Sequence, residues 1–327
     1  MASVTYFNRD KRPGNYSMEE LFSSIRSEMN AGWSMKDYNY DAQKGYWKAI
    51  KEVHRYESEI NHITGDVNFL AYGLTPEKTI LTVHDIGHYE RTLKSWKKAL
   101  YKQFWLRGPL NRVRYVTAIS EFSKSRIIHH FGIKADKIKV IHNPAPVLFS
   151  ARPQVFNQHC PKILQVGGGH NKNIYRLLEA VQDINCEVIL IRPYDTVLEE
   201  KMKAYRITYQ WFSNLDYQAV ADHYKACDLV FFASEYEGFG MPILEANATG
   251  RPVLTGNVTA MPEVAAHAAC LVDPFDVKAI RNGLLKIIKE ETYRQELVAN
   301  GYENVKRFEV KNIANQYSAL YQQLLRQ

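Results

Sequence analysis

The stretch 234–250, Ser-Glu-Tyr-Glu-Gly-Phe-Gly-Met-Pro-Ile-Leu-Glu-Ala-Asn-Ala-Thr-Gly, limits what this chain can fold into more than any other. An apolar run, Leu229-Val230-Phe231-Phe232-Ala233, leads into it with the length and composition of a buried strand. Gly238 and Gly240 then flank Phe239, so the backbone can take angles closed to other residues and lie close to a ligand. Pro242 suits the first turn of a helix, where its missing N–H costs nothing, and Gly250 suits its C-terminal stop after Thr249. A strand, a glycine turn and a helix in this order are the working unit of an α/β sheet.

Such a junction points backbone N–H groups and the positive end of a helix dipole at one spot, which favours an anion. Glu237 in the turn and Glu245 in the helix are odd neighbours for a bare phosphate, but carboxylates accept hydrogen bonds from sugar hydroxyls. The combination suits a ligand carrying both, a nucleotide sugar. Two glutamates spaced by seven residues around Gly-Phe-Gly also resemble the signature of the retaining glycosyltransferases of family four, which have the GT-B fold. That resemblance implies two Rossmann-like parallel-sheet domains facing across a cleft. It places Glu237 on the donor sugar, Glu245 on the ribose, and Gly238, Phe239 and Gly240 against the donor. Glutamates near a helix start also serve the dipole alone, so the neighbouring segments must decide.

At 327 residues the chain exceeds a usual single core, and two domains are expected. The boundary falls in a proline-marked, aperiodic stretch, about 145–161. The expected division is 1–150 as an acceptor domain, 151–307 as a donor domain, and 308–327 as a helix crossing back to the first. No apolar run reaches about 18 residues and the N-terminal residues lack a signal-peptide core, so a cytoplasmic location is expected. The four cysteines form no Cys-x-x-Cys pair and read as free thiols. Net charge is +7, and its placement is uneven: residues 91–139 hold thirteen basic and two acidic side chains, +11, which leaves −4 elsewhere.

In the first half, 4–7 reads as a strand, followed by a turn with Gly14 and a helix from Met18 to about Met29. By the same resemblance Gly14 approaches the donor. Residues 46–57 have helical spacing, and 59–63, 78–83 and 115–119 read as strands. Ligand sites in open α/β sheets lie just beyond strand carboxyl ends. His84 and Asp85 directly follow such a strand and resemble the family segment whose histidine lies near the donor sugar and phosphate. From 93 to 104, Leu93, Trp96, Leu100 and Phe104 share a helical face while Lys94, Lys97, Lys98 and Lys102 cluster elsewhere. With Trp96 and Trp105 as anchors, this basic amphipathic helix suits an anionic membrane surface or a lipid-linked acceptor. The alternative is an apolar stripe packed on the sheet with solvated lysines.

The second half opens Lys162-Ile163-Leu164-Gln165-Val166-Gly167-Gly168-Gly169-His170-Asn171-Lys172, a strand and glycine loop with a lysine. It fits neither a Walker loop nor Gly-x-Gly-x-x-Gly. It resembles the family's second loop, whose lysine contacts the donor diphosphate, and Lys172 stands there. Many relatives carry an arginine where this chain has Gly168, so half of the cationic clamp is absent or supplied from elsewhere. Arg192-Pro193 replaces a glycine that often follows the next strand. Met261-Pro262-Glu263-Val264 and Asp273-Pro274 match downstream landmarks, and 313–325 reads as a last amphipathic helix.

The chain contains no Asp-x-Asp, so neither a metal nor a resident cofactor is expected, only a UDP- or GDP-linked substrate. The leaving diphosphate would be stabilised by Lys172, helix N-termini and the Gly238 to Gly240 amides. The reaction expected is sugar transfer to a glycan or lipid-linked glycan in cell-surface polysaccharide biosynthesis. Three rivals stay open: a sugar-nucleotide epimerase of the same fold, a catalytically silent relative that binds a nucleotide sugar, and a nucleic-acid binder prompted by the +11 segment. The last lacks an aromatic stacking ladder and a motif, so no nucleic-acid partner is expected.

Overall fold

The computed structural model describes residues 1–9, 17–29 and 32–326; Gly14 lies outside them. The chain divides into two compact units, Met1–Pro144 with Glu309–Gln327, and Ala145–Phe308. Each is built on a six-stranded, wholly parallel sheet.

In the first unit the strands are β1 (Ala2–Asn8), β2 (Trp33–Asn39), β3 (Ile60–Ile63), β4 (Thr79–Val83), β5 (Tyr115–Ala118) and β6 (Ile138–Val140). Their order is β2-β1-β3-β4-β5-β6. β3, β4 and β5 are buried at every position, as parallel strands covered on both faces must be. Phe7, Ile63, Leu81 and Val116 feed one core, while Val4, Tyr6, Ile60, Ile80 and Tyr115 feed the other. The last helix of the chain, Val310–Leu325, closes that second core with Ile313, Ala314, Tyr317, Leu320, Tyr321 and Leu324. This first unit is therefore assembled from both ends of the sequence.

The second unit holds β7 (Lys162–Val166), β8 (Glu187–Ile191), β9 (Thr208–Phe212), β10 (Leu229–Phe232), β11 (Val253–Gly256) and β12 (Cys270–Val272) in the order β12-β11-β10-β7-β8-β9. From β7 the chain winds outward through β8 to β9, then returns to add β10 on the other side of β7. The loops after β7 and β10 therefore part to opposite sides of the sheet and leave a crevice, the switch point where doubly wound sheets bind ligands. The equivalent point in the first unit falls between β1 and β3.

Two edge strands, β2 and β9, were not expected from the sequence. Their burial alternates or is partial, with sequences Trp-Ser-Met-Lys-Asp-Tyr-Asn and Thr-Tyr-Gln-Trp-Phe. An edge strand needs no continuous apolar run, so periodicity does not announce it. The helix expected over 46–57 is also shorter, Tyr46–Glu52, with a tighter turn over Val53–Tyr56.

Candidate active site

At the switch point of the second unit, the loop after β7 and the turn after β10 meet through a ladder of bonds. Glu235 N–H donates to the Asn171 carbonyl at 2.8 Å, and Asn171 Nδ2 donates to the Tyr236 carbonyl at 2.8 Å. Asn173, in the left-handed conformation with φ 59°, ties the same loop to the Ala233 and Pro274 carbonyls. This scaffold brings Lys172 Nζ to 2.6 Å from Glu237 Oε1, with Asn171 Nδ2 on the same oxygen at 3.2 Å. Both side chains are largely but not wholly covered, 20% and 15% exposed, so a ligand can reach the pair. An ammonium has three donors and Glu237 takes one, which leaves donors for phosphate oxygens.

The turn reaches its helix, Met241–Thr249, through Gly240 at φ 121°, an angle that L side chains rarely adopt. A Cβ there would also stand 3.1 Å from Ile243 Cδ1. Phe239 is 3% exposed and stacks edge-on against Phe308 at 5.7 Å. Its side chain is core, so its expected part in donor binding is confined to the backbone.

Glu245 is only 7% exposed, and its Oε1 accepts from the Tyr217 hydroxyl at 3.3 Å. Burial raises its carboxyl above the usual range, against the pull of the Tyr224 and Tyr217 hydroxyls and, more weakly, Lys172. The two glutamates thus differ: Glu237 is paired with a cation at the surface of the crevice, whereas Glu245 sits beneath it among tyrosines.

Gly168 is exposed, and a Cβ on it would lie 2.6 Å from Pro193 Cδ. The two departures from the family pattern are therefore one packing arrangement, because the Pro193 ring fills the space of a side chain at 168. Beside it Arg192, 8% exposed, reaches the Gly168 carbonyl with Nη2 at 3.5 Å. Its Nε and Nη1 are buried without a hydrogen-bond partner. Nothing in the local sequence placed this cation at the loop, since the contact joins the ends of two neighbouring strands.

In the first unit His84 follows β4, and its Nε2 lies 2.8 Å from the Thr64 carbonyl. A carbonyl only accepts, so Nε2 is the donor of this bond. Asp85 is exposed, with Oδ1 accepting from Gly87 N–H at 2.8 Å. His62, by contrast, is fully buried between Tyr321 and Thr82, both 2.7 Å from its ring nitrogens, and is structural. A hollow of about 310 Å³ opens at this unit's switch point, where Tyr46, Phe69 and Trp105 form an aromatic wall beside Arg9 and Asp66.

The basic segment departs from the helix expected over 93–104. Ser95–Leu100 is helical, and a wider π-type turn follows over Tyr101–Arg107. Trp96, Leu100 and Phe104 are 66%, 48% and 61% exposed, so the stripe does not pack on the sheet. Trp105 instead joins the core, stacked on Tyr101. Lys94 and Lys97 are exposed, while Lys98 lies over the Tyr89 ring at 4.8 Å and Lys102 is partly covered. The wider turn shifts the register of one face against the other, which turns Trp105 inward.

Two units, each on a six-stranded, wholly parallel sheet, are the architecture of the GT-B glycosyltransferases. Residues 150–304 match the family described as glycosyl transferases group 1, and residues 16–147 match glycosyltransferase family 4. The chain belongs to family 4 of the glycosyltransferases. It is 29% identical over 281 residues to the O-antigen chain mannosyltransferase B of Escherichia coli, covering 76% of this chain and 71% of that one. Among solved structures it is similar to HepE of Anabaena in complex with UDP and glucose, with TM-score 0.79, 16% identity, and 99% and 100% of the two chains covered. It is also similar to sucrose-phosphate synthase of Thermosynechococcus elongatus, with TM-score 0.77, 18% identity, and 99% of each chain covered. No helix among the described residues is long and apolar enough to cross a membrane.

Proposed function

We propose that this enzyme transfers a hexose from a UDP- or GDP-sugar to a glycan or lipid-linked glycan, with retention of configuration and without a metal, in building a cell-surface polysaccharide. The observation that carries this reading is the Lys172–Glu237 pair, one cation and one carboxylate at 2.6 Å in the switch-point crevice. The E. coli relative is named a mannosyltransferase, which makes mannose the first sugar to test. In the reaction the bond from the anomeric carbon to the diphosphate oxygen breaks and its electron pair leaves with the diphosphate. Lys172 offsets the charge that develops there. Glu237 accepts from sugar hydroxyls and Glu245 from the ribose. The acceptor oxygen attacks the same face of an oxocarbenium-like sugar, and its proton passes to a diphosphate oxygen. His84 contacts a donor hydroxyl, and neither glutamate is a covalent nucleophile.

Incubation with a panel of UDP- and GDP-linked sugars and mannose-containing glycans tests this. Release of one nucleoside diphosphate, with NMR showing the donor's anomeric configuration kept in the product, is expected in the presence of a chelator. An inverted product, or no release from any donor, overturns it.

The hollow beside Asp66 suits the acceptor's terminal sugar. A pyranose has an apolar C–H face for the aromatic wall and a rim of hydroxyls for Asp66 and Arg9, and 310 Å³ is at the lower end of small-ligand sites. Asp66→Asn is expected to raise the acceptor KM by about tenfold, the worth of one hydrogen bond to a charged group, with the donor KM unchanged. Initial-rate kinetics in both substrates would expose an effect on the donor instead.

The exposed Trp96, Leu100 and Phe104, bordered by Lys94 and Lys97, suit the anionic inner face of a membrane and thus a cytoplasmic, peripheral location. Each lysine near such a surface contributes on the order of 1 kcal/mol. Replacing Lys94 and Lys97 by alanine is therefore expected to weaken sedimentation with phosphatidylglycerol vesicles about tenfold or more. Equal binding to neutral vesicles would remove the membrane from this account.

A further inference from the structure

We infer that Arg192 is the second cation of the donor site, a diphosphate ligand delivered from the strand next to the glycine loop. The inference rests on the nucleotide-sugar reading above and adds the group that completes it.

Arg192 is a buried cation with unspent donors. Arg192 follows β8, which pairs with β7 in register Val166 to Ile191, so it emerges beside the loop that carries Gly168 and Lys172. Its backbone is fixed on both sides, with its N–H donating to the Phe212 carbonyl at 2.9 Å and its carbonyl accepting from Trp211 Nε1 at 3.0 Å. The side chain is 92% buried by its 8% exposure, yet Nε and Nη1 have no partner, and Nη2 has only the Gly168 carbonyl at 3.5 Å and Asp195 at 4.0 Å. Burial lowers its pKa, and the distant Asp195 and Tyr175 only partly oppose this. Buried guanidinium groups elsewhere in this unit are arranged differently. Arg251 gives three hydrogen bonds to the Tyr224, Gly250 and Lys225 carbonyls, and Arg294 gives two to Ile287 and Ile288. Those arginines close the fold, whereas Arg192 keeps donors unspent.

Leaving buried donors unmade costs stability, and a structural role would not require it. An anion at the glycine loop removes the cost. Gly168 carries no side chain and Pro193 stands where one would be, so the Arg192 guanidinium meets the loop backbone at the Gly168 carbonyl with no side chain between them. A diphosphate with several oxygens can bridge two cations on separate strand ends, where a monophosphate engages one. A planar guanidinium is the group best shaped for paired phosphate oxygens.

The test is binding of uridine, UMP and UDP, and of guanosine, GMP and GDP, to the purified enzyme and to Arg192→Gln and Arg192→Lys, by calorimetry, together with melting of each apo protein. Arg192→Gln is expected to weaken binding of the preferred diphosphate by about tenfold to a hundredfold, the worth of one or two charge-assisted hydrogen bonds. Nucleoside binding should be unchanged, and the lysine variant should recover part of the loss. The apo protein should melt no lower, because an unpaired buried charge has been removed. Undiminished diphosphate affinity, or an equal loss for nucleoside and diphosphate with a lowered melting temperature, overturns the role of Arg192. If the unaltered enzyme binds neither UDP nor GDP, the nucleotide-sugar reading falls and this inference falls with it.

Discussion

Lys172→Ala and Glu237→Gln are each expected to lower kcat by about a hundredfold or more, since one lost electrostatic partner of a developing charge costs on the order of 2.7–4 kcal/mol of transition-state stabilisation. The two lose it by different routes. In the proposed reaction, removing the ammonium leaves the departing diphosphate short of a cation, so turnover and nucleoside diphosphate affinity should fall together. Glu237→Gln keeps the shape but loses the charge that anchors Lys172 Nζ at 2.6 Å and, in the proposed reaction, holds sugar hydroxyls. Its loss should therefore appear mainly in kcat. Because the two groups touch, their effects cannot be independent. The double variant is expected to lose less than the product of the single losses, and steady-state kinetics on all four proteins reads this coupling. Full activity in either single variant, or strictly multiplicative losses, would separate the pair from the chemistry.

The sequence carried the second unit's site further than the first's, for a physical reason. Around 229–250 every local requirement agrees: a buried strand, a glycine at φ 121°, a proline in the first helical turn and a left-handed glycine at the stop. Such agreement survives without knowledge of neighbours. The lysine of the loop after β7 was legible from its glycines, but its bond to Glu237 spans 65 residues and depends on strand order. Arg192 was visible only as a departure, and its meaning required seeing Pro193 against Gly168. The edge strands β2 and β9, half exposed, carry no unbroken apolar run. The helix expected over 93–104 divides at Leu100, because the π-type turn over Tyr101–Arg107 breaks the 3.6-residue period. His62 lies inside β3 and His84 directly follows β4, and their burial separates the structural ring from the reachable one.

That buried ring sets the second large expected effect, on stability against pH. His62 lies among Tyr321, Thr82, Tyr6, Phe22, Tyr317 and His84, with no carboxylate among its ring or hydrogen-bond neighbours in the described residues. Burial, followed by the neighbouring His84, pushes its pKa from 6.5 down to about 3. The unfolded chain therefore binds a proton below pH 6.5 that the folded chain refuses until about pH 3. Stability from this group is complete above the unfolded value and is lost as pH falls, at about 1.36 kcal/mol per unit. Between pH 6.5 and 4.5 this amounts to roughly 2 kcal/mol. His62→Gln can keep hydrogen bonds to Tyr321 and Thr82 but has no proton to refuse. Urea unfolding at several pH values is expected to show a shallower loss of stability for the variant over this window, whatever its stability at pH 7. The consequence reaches the termini, because Tyr321 belongs to the helix Val310–Leu325 that closes this core. Acid should therefore loosen the C-terminal helix from β3 before it disturbs the second unit, and parallel slopes in the two proteins would show that His62 is not the group responsible.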